Sequence, residues 1–280
     1  MSGLTRSKLK PRWDLRRAPA CALARAARLA YRSESWIRAV TTLWGFREVR
    51  VFASPLSFAY LAWREDAAVV AFRGTKPAKL QDWLTDAWAV PEPTPWGVGA
   101  VHRGFHRSFR TVWPQVAEAV IPLDVPLYLT GHSKGAAEAT ICARYLVERG
   151  HPVAAVYTYG SPRVGDVAFA RDYELHLGDR TFRFRNNNDV VTRVPLALPG
   201  WLGRLVRRAL KLPLIPGGYR HVGRLRYFDA EGRLHTRISA WFRLLDAIDG
   251  RLKDLGRLGP DGINDHGIDQ YVRLCKRSCQ

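Results

Sequence analysis

The chain of 280 residues has little cysteine, a single methionine and no long apolar run. Its four cysteines, Cys21, Cys142, Cys275 and Cys279, are too few and too scattered for a disulfide framework. Cys275 and Cys279 stand four apart, with no second pair or histidine to complete a four-ligand zinc site. A reducing compartment and no resident metal are therefore expected. No stretch of about eighteen uncharged apolar residues occurs, so no membrane-spanning helix is expected. The basic N-terminus runs into an alanine-rich stretch, but Arg25 and Arg28 interrupt it. A secretory core needs roughly 7–15 unbroken apolar residues, so Ala20 to Tyr31 reads as a helix of the folded protein. The expected location is cytoplasmic, with room for peripheral contact at the inner membrane surface.

Acid is scarce as well. There are 25 Asp and Glu against 44 Lys and Arg, a formal net charge of +19. Such a surface attracts polyanions or anionic headgroups, although a well-solvated basic surface accounts for the charge equally well. Zinc-finger spacing, RNA-binding signatures and basic helices with interleaved aromatics are all missing, which argues against nucleic acid.

What is present reads as one folded unit. Apolar residues make up 47% and charged residues 25%, the balance of a globular domain. The expected layout is a basic tail over 1–20 and a single domain over 21–280. Ser57 to Trp63 and Ala67 to Phe72 are β-rich runs joined by Arg64-Glu65-Asp66, a hairpin pattern. Leu80 to Trp88 and Gly104 to Val120 have helical spacing. Val125 to Thr130, Val153 to Tyr159 and Thr181 to Arg185 read as strands. Helices are expected between them, through Glu148 and over Asp166 to Leu175. Val222 to Phe228 and Arg233 to Thr236 flank a turn at Asp229 to Gly232. Two last helices are expected over Ile238 to Leu255 and Ile268 to Cys275. Strands alternating with helices predict an α/β fold with a mainly parallel central sheet covered on both faces.

Gly131-His132-Ser133-Lys134-Gly135 matches G-x-S-x-G. The pentapeptide follows the apolar strand Pro126 to Thr130 and opens the helix beginning at Ala136. That strand–turn–helix setting places a serine hydroxyl at a sheet's carboxyl edge, where small neighbours permit the tight turn. Serine is a weak nucleophile and needs a base, which needs a carboxylate to orient it. Asp189 follows the strand Thr181 to Arg185 and the turn Asn186-Asn187-Asn188, and so falls on the same rim. Three histidines come later. His221 opens a strand, where a backbone-bonded structural role is expected, though it stays open as the alternative base. His235 sits in a hairpin. His266, in the loop Asn264 to Gly267, is placed to swing over the serine. His132 points away from the reaction.

These pieces resemble the class 3 lipases, fungal-lipase-like α/β-hydrolases, from about Ala24 to Val272. The resemblance is carried in order by Val69 to Thr75, Asp82 to Asp86, Val101 to Phe105, Gly131 to Gly135 and Tyr159 to Gly165. It continues through Asn188 to Val191 with Val194-Pro195, Tyr219 to Gly223, and Asp265-His266. It implies the α/β-hydrolase fold and a Ser133, Asp189 and His266 triad. It also implies an oxyanion hole made by Thr75 and the backbone N–H of Lys134, the kind of donor pair that acyl transfer requires.

The resemblance further implies a lipid acyl ester as substrate, through a triacylglycerol lipase or phospholipase A1-like activity with no cofactor. Short-chain or phenolic esters are the alternative, and a non-catalytic cationic binding protein on the same scaffold is the rival class. Leu80 to Trp88 corresponds to a lid region or to a fixed helix. Lys134 stands where an apolar residue is common, and its ammonium is expected to favour anionic headgroups. Trp201 to Leu212 is a basic amphipathic segment, with Trp201, Leu202, Leu205, Val206 and Ala209 opposite Arg204, Arg207, Arg208 and Lys211. It is expected to dock on an anionic membrane.

Overall fold

The computed structural model describes residues 13–75, 90–195, 218–237, 239 and 265–279. The helices expected over Leu80 to Trp88, Trp201 to Leu212 and, apart from Ser239, Ile238 to Leu255 lie outside these residues. Two helices come first, α1 (Pro19–Leu29) and α2 (Glu34–Leu43). The strands β1 (Glu48–Ala53), β2 (Phe58–Arg64) and β3 (Ala67–Phe72) follow. The short strands β4 (Pro91–Pro93) and β5 (Ala100–His102) pair separately. Then come α3 (Arg103–Arg110), α4 (Trp113–Val120), β6 (Leu127–His132) and α5 (Lys134–Glu148). They are followed by β7 (Ala155–Tyr159), α6 (Val167–Leu177) and β8 (Thr181–Asn186). The chain ends with β9 (Arg224–Phe228), β10 (Leu234–His235) and α7 (Ile268–Ser278).

One eight-stranded sheet runs β1-β2-β3-β6-β7-β8-β9-β10. Its five inner strands, β3 and β6 to β9, are parallel, and the outer pairings are antiparallel. Every residue of β3 is buried, as a strand covered on both faces must be. The expected hairpin is present, with Arg64 opposite Ala67 across the turn. The segment expected as one helix from Gly104 to Val120 is two helices. Pro114 lies in the first turn of α4 and has no N–H to continue the ladder back to Arg110. Sequence patterning also passed over α2, whose β-branched residues lower its propensity but whose N-terminus is capped by Ser33.

The two faces of the sheet are filled differently. On one side α3 to α6 bury an aromatic layer including Phe105, Phe109, Phe169 and Tyr173. On the other, α1 lies close, because its inward residues Ala22, Ala24, Ala26 and Ala27 are small and buried. Thr130 Oγ1 reaches the carbonyl of Leu23 at 3.2 Å, and the Tyr60 hydroxyl reaches that of Ala26 at 3.1 Å. Helix α7 packs beside α1, with Tyr271 and Cys275 buried. Trp13 stacks on Trp44 at 4.4 Å and Leu15 is buried, so the fold begins before the boundary expected at residue 20.

Backbone contact closes the rim. A Cβ on Gly135, at the start of α5, would collide with the carbonyl of Phe72 and stand 2.7 Å from the carbonyl carbon of Arg73. Helix α5 and the end of β3 can meet only because that position is glycine. Gly135→Ala should therefore lower stability by about 1–3 kcal/mol. Gly97→Ala, with open space at its Cβ but φ of +80, should cost about 1 kcal/mol. Urea midpoints in the reverse order would contradict this packing.

Candidate active site

Ser133 sits between β6 and α5 at φ 58 and ψ −130, the one positive-φ residue other than glycine among the described residues. An L-residue is strained there. The turn is held because the Ser133 N–H donates to the Tyr159 carbonyl at 3.0 Å, while its own carbonyl accepts the Ala136 N–H at 2.9 Å. The conformation lifts the side chain out of the strand at the amino end of α5. Ser133 is fully buried, and its Oγ has no hydrogen-bond partner among the described residues. Gly74, just past β3, lies so close that an added Cβ would stand 2.9 Å from that of Ser133. Thr75 follows directly on Gly74, on the same rim as Ser133.

Asp189 lies beyond the end of β8, fully buried. His266 Nδ1 stands 2.9 and 3.0 Å from its two carboxylate oxygens. The Tyr271 hydroxyl donates to Oδ2 at 2.6 Å, and the Val191 N–H donates to Oδ1 at 2.9 Å. Burial alone would raise this carboxyl, but His266 beside it, with the hydrogen bonds from His266 and Tyr271, holds its pKa below the usual range. A carboxylate only accepts, so Nδ1 of His266 carries a hydrogen, and in the neutral ring the lone pair is then on Nε2. Nε2 is buried and without a partner among the described residues. That tautomer is the one a general base requires.

The loop bearing His266 is tied to the Asp189 loop twice. The Asn186 side chain donates to the Asp265 carbonyl at 2.9 Å, and the Asn188 N–H donates to Asp265 Oδ2 at 3.2 Å. Gly160 leaves room for the pair: a Cβ there would stand 2.8 Å from His266 Nδ1 and 2.9 Å from Asp189 Oδ2.

Behind the site lies a neutral hydrogen-bonded chain. His132 Nε2 donates to the His266 carbonyl at 2.6 Å, so its Nδ1 accepts from the Tyr31 hydroxyl at 2.8 Å. Burial, with His266 alongside, pushes the His132 pKa down to about 3. Burial raises the Tyr31 pKa, which keeps its proton in place.

The structure thus brings Asp189 and His266 into contact and sets Ser133 and Gly74-Thr75 on the same rim. His221, the alternative base, is instead bonded through Nε2 to the Thr192 carbonyl at 2.8 Å. His235 pairs with Asp229 at 2.7 Å. Lys134 departs from expectation. Its ammonium donates to the Leu56 carbonyl, Ser108 and Glu138, and so is spent inside the protein rather than offered to a headgroup. Sequence reading missed Tyr271 and Tyr31. The only signal for Tyr271 was its place five residues beyond His266, at the head of a helix.

A strained serine after a central parallel strand, with a histidine–carboxylate pair on the same rim, is the arrangement of the α/β-hydrolase fold. Within that class, residues 69–198 match the family of class 3 lipases. The chain is 34% identical over 142 residues to the secreted mono- and diacylglycerol lipase A of Penicillium cyclopium, covering 49% of this chain and 45% of that one. It is 33% identical over 171 residues to phospholipase A1-II 6 of Oryza sativa subsp. japonica, covering 47% and 41%. The chain therefore spans less than half the length of these relatives. The solved triacylglyceride lipase of Rhizomucor miehei shares the fold with TM-score 0.61 and 21% identity, over 92% of this chain and 95% of that one.

Tyr271→Phe removes one donor to Asp189 and leaves the Asn186 N–H without the acceptor it has at 2.9 Å. The expected cost is about 1–3 kcal/mol. A carboxyl with a depressed folded pKa stabilises the protein above its unfolded pKa, and that stability is lost as pH falls through the folded value. Weakening the depression should move acid unfolding to higher pH. Near-UV circular dichroism during acid titration checks this, and an unchanged acid midpoint would contradict it.

Proposed function

We propose that the protein hydrolyses carboxylic esters of lipids through an acyl-enzyme. His266 takes the proton of Ser133, Ser133 attacks the ester carbonyl, and Thr75 with the Lys134 N–H stabilises the oxyanion. Asp189 holds His266 in its tautomer and stabilises the imidazolium. His266 then protonates the leaving alcohol, and water repeats the cycle to release the acid. The residues named supply every proton transfer in this scheme. The observation that carries the reading is His266 held by both oxygens of the buried Asp189, with Nε2 free, on the rim where Ser133 stands.

Acylglycerols, or phospholipids cleaved at sn-1, are the proposed substrates. Support comes from the matched relatives, named as a mono- and diacylglycerol lipase and a phospholipase A1, and from the charge of +19. The basic segment Trp201 to Leu212 is the proposed contact with an anionic bilayer. Free thiols at Cys21, Cys142, Cys275 and Cys279 fit a reducing compartment, whereas a relative described as secreted gives no support to a cytoplasmic location.

Ser133→Ala should abolish labelling by a fluorophosphonate probe and lower kcat by about 10⁴-fold or more, with Asp189→Asn and His266→Ala falling by about 10⁴-fold. Esterase activity of undiminished rate in Ser133→Ala would end the proposal. A panel of p-nitrophenyl esters, acylglycerols and phospholipids ranks the substrates. Sedimentation with anionic vesicles tests the bilayer contact, which Arg204→Glu, Arg207→Glu and Arg208→Glu together should abolish. Unchanged binding would remove that segment from the reading.

A further inference from the structure

Beneath the amino end of α5 lies an ion pair that the acyl-transfer scheme does not use. Glu138 is fully buried, and the Lys134 side chain is only 14% exposed. All three ammonium hydrogens of Lys134 are taken. They go to Glu138 Oε1 at 2.7 Å, the Leu56 carbonyl at 2.7 Å and Ser108 Oγ at 2.8 Å. The other carboxylate oxygen of Glu138 accepts the Ser57 hydroxyl at 2.9 Å. Ser108 Oγ also reaches the Leu56 carbonyl, at 2.7 Å. One lysine therefore joins α5, α3 and the turn that leads into β2.

That turn continues to the other side of the site. The Arg73 N–H donates to the Phe58 carbonyl at 2.9 Å, so the residues just before Gly74-Thr75 hang from the strand that Leu56 and Ser57 lead into. The Lys134 peptide, in turn, carries the second donor proposed for the oxyanion. The two halves of the hole touch directly at Gly135 and Phe72, where no Cβ fits. We infer that the Lys134–Glu138 pair is a brace that holds the two halves of the oxyanion hole in register, and that both side chains are positioning residues for the reaction proposed above.

Packing or stability alone gives little reason for this pair. Taking two charges out of water is costly, and apolar residues of similar volume often replace a buried pair at no loss of stability. What an apolar pair cannot supply is direction. The three donors of Lys134 and the two acceptor oxygens of Glu138 fix where Leu56, Ser57 and Ser108 sit relative to the first turn of α5. Oxyanion stabilisation depends on such placement, because its donors must aim at the position the oxyanion will take. A misplacement of about 1 Å far from the reacting atoms can cost about 10²-fold.

The inference rests on the hydrolase reading, and the test separates the two. Wild type, Ser133→Ala, Lys134→Met/Glu138→Leu and Ser57→Ala are compared on one soluble ester, with active sites counted by fluorophosphonate titration. The double variant keeps the volume and removes the ties, and its fold is checked by near-UV circular dichroism. Ser57→Ala removes one tie and serves if the double variant does not fold.

The expected result is a kcat per titrated site lowered about 10–100-fold in the double variant and about threefold or more in Ser57→Ala, with KM nearly unchanged. Ki for a trifluoromethyl ketone, which adds Ser133 to form a tetrahedral oxyanion, should rise in parallel. A purely structural pair would lower the melting temperature but leave kcat per site and that Ki alone. Wild-type kcat and Ki in whichever of these variants fold would overturn the brace. Failure of wild type to label, or full activity in Ser133→Ala, would instead overturn the hydrolase reading and the brace with it.

Discussion

The turn that holds Ser133 at positive φ can exist only because three strands and one helix approach to backbone contact around it. Gly131 and Gly135 let the turn fold onto itself, since a Cβ on Gly131 would meet the backbone of Gly135 and Ala136. Gly74 and Gly160 let the neighbouring strand ends close in on Ser133 and on the Asp189–His266 pair. Every other feature of the site depends on this closeness. The strain at Ser133 is offset by the Tyr159 carbonyl and the helix that begins immediately after it.

Two polar systems stiffen that crowded rim, and they differ in kind. One is neutral: Tyr31, His132 and the His266 carbonyl form a chain with no ionised member, since burial drives the His132 pKa down. It positions the His266 backbone without adding a charge beside the ring proposed to accept a proton. The other is charged: Lys134 and Glu138 compensate one another, with each remaining donor or acceptor satisfied nearby. Each network meets the requirement that buried polar groups be partnered. Ser133 Oγ and His266 Nε2, which the proposed chemistry needs free, are among the buried polar atoms without a partner among the described residues.

Much of this was legible in the chain. G-x-S-x-G between an apolar strand and a helix located Ser133, and the position of Asp189 after a strand placed it on the same edge. Hairpin and strand patterns matched β2, β3, β7 and β8 to within a residue or two. Less legible were features set by contacts distant in sequence. The break between α3 and α4 follows from Pro114, which the apolar periodicity masked. The direction of the Lys134 side chain could not be read, because its partners Leu56 and Ser108 come from other elements. Tyr271 reaches Asp189 across 82 positions of chain.

The sequence by itself determined the alternation of strands and helices, the glycines that permit the turn, and the residue types able to transfer protons. These follow from local periodicity and backbone sterics, which act over a few residues. Only the tertiary structure decided which histidine meets the carboxylate, which of its nitrogens faces away from it, and whether the lysine beside Ser133 faces outward or inward. Those outcomes depend on hydrogen bonds lasting only at about 3 Å, between side chains that the folded sheet alone brings within reach.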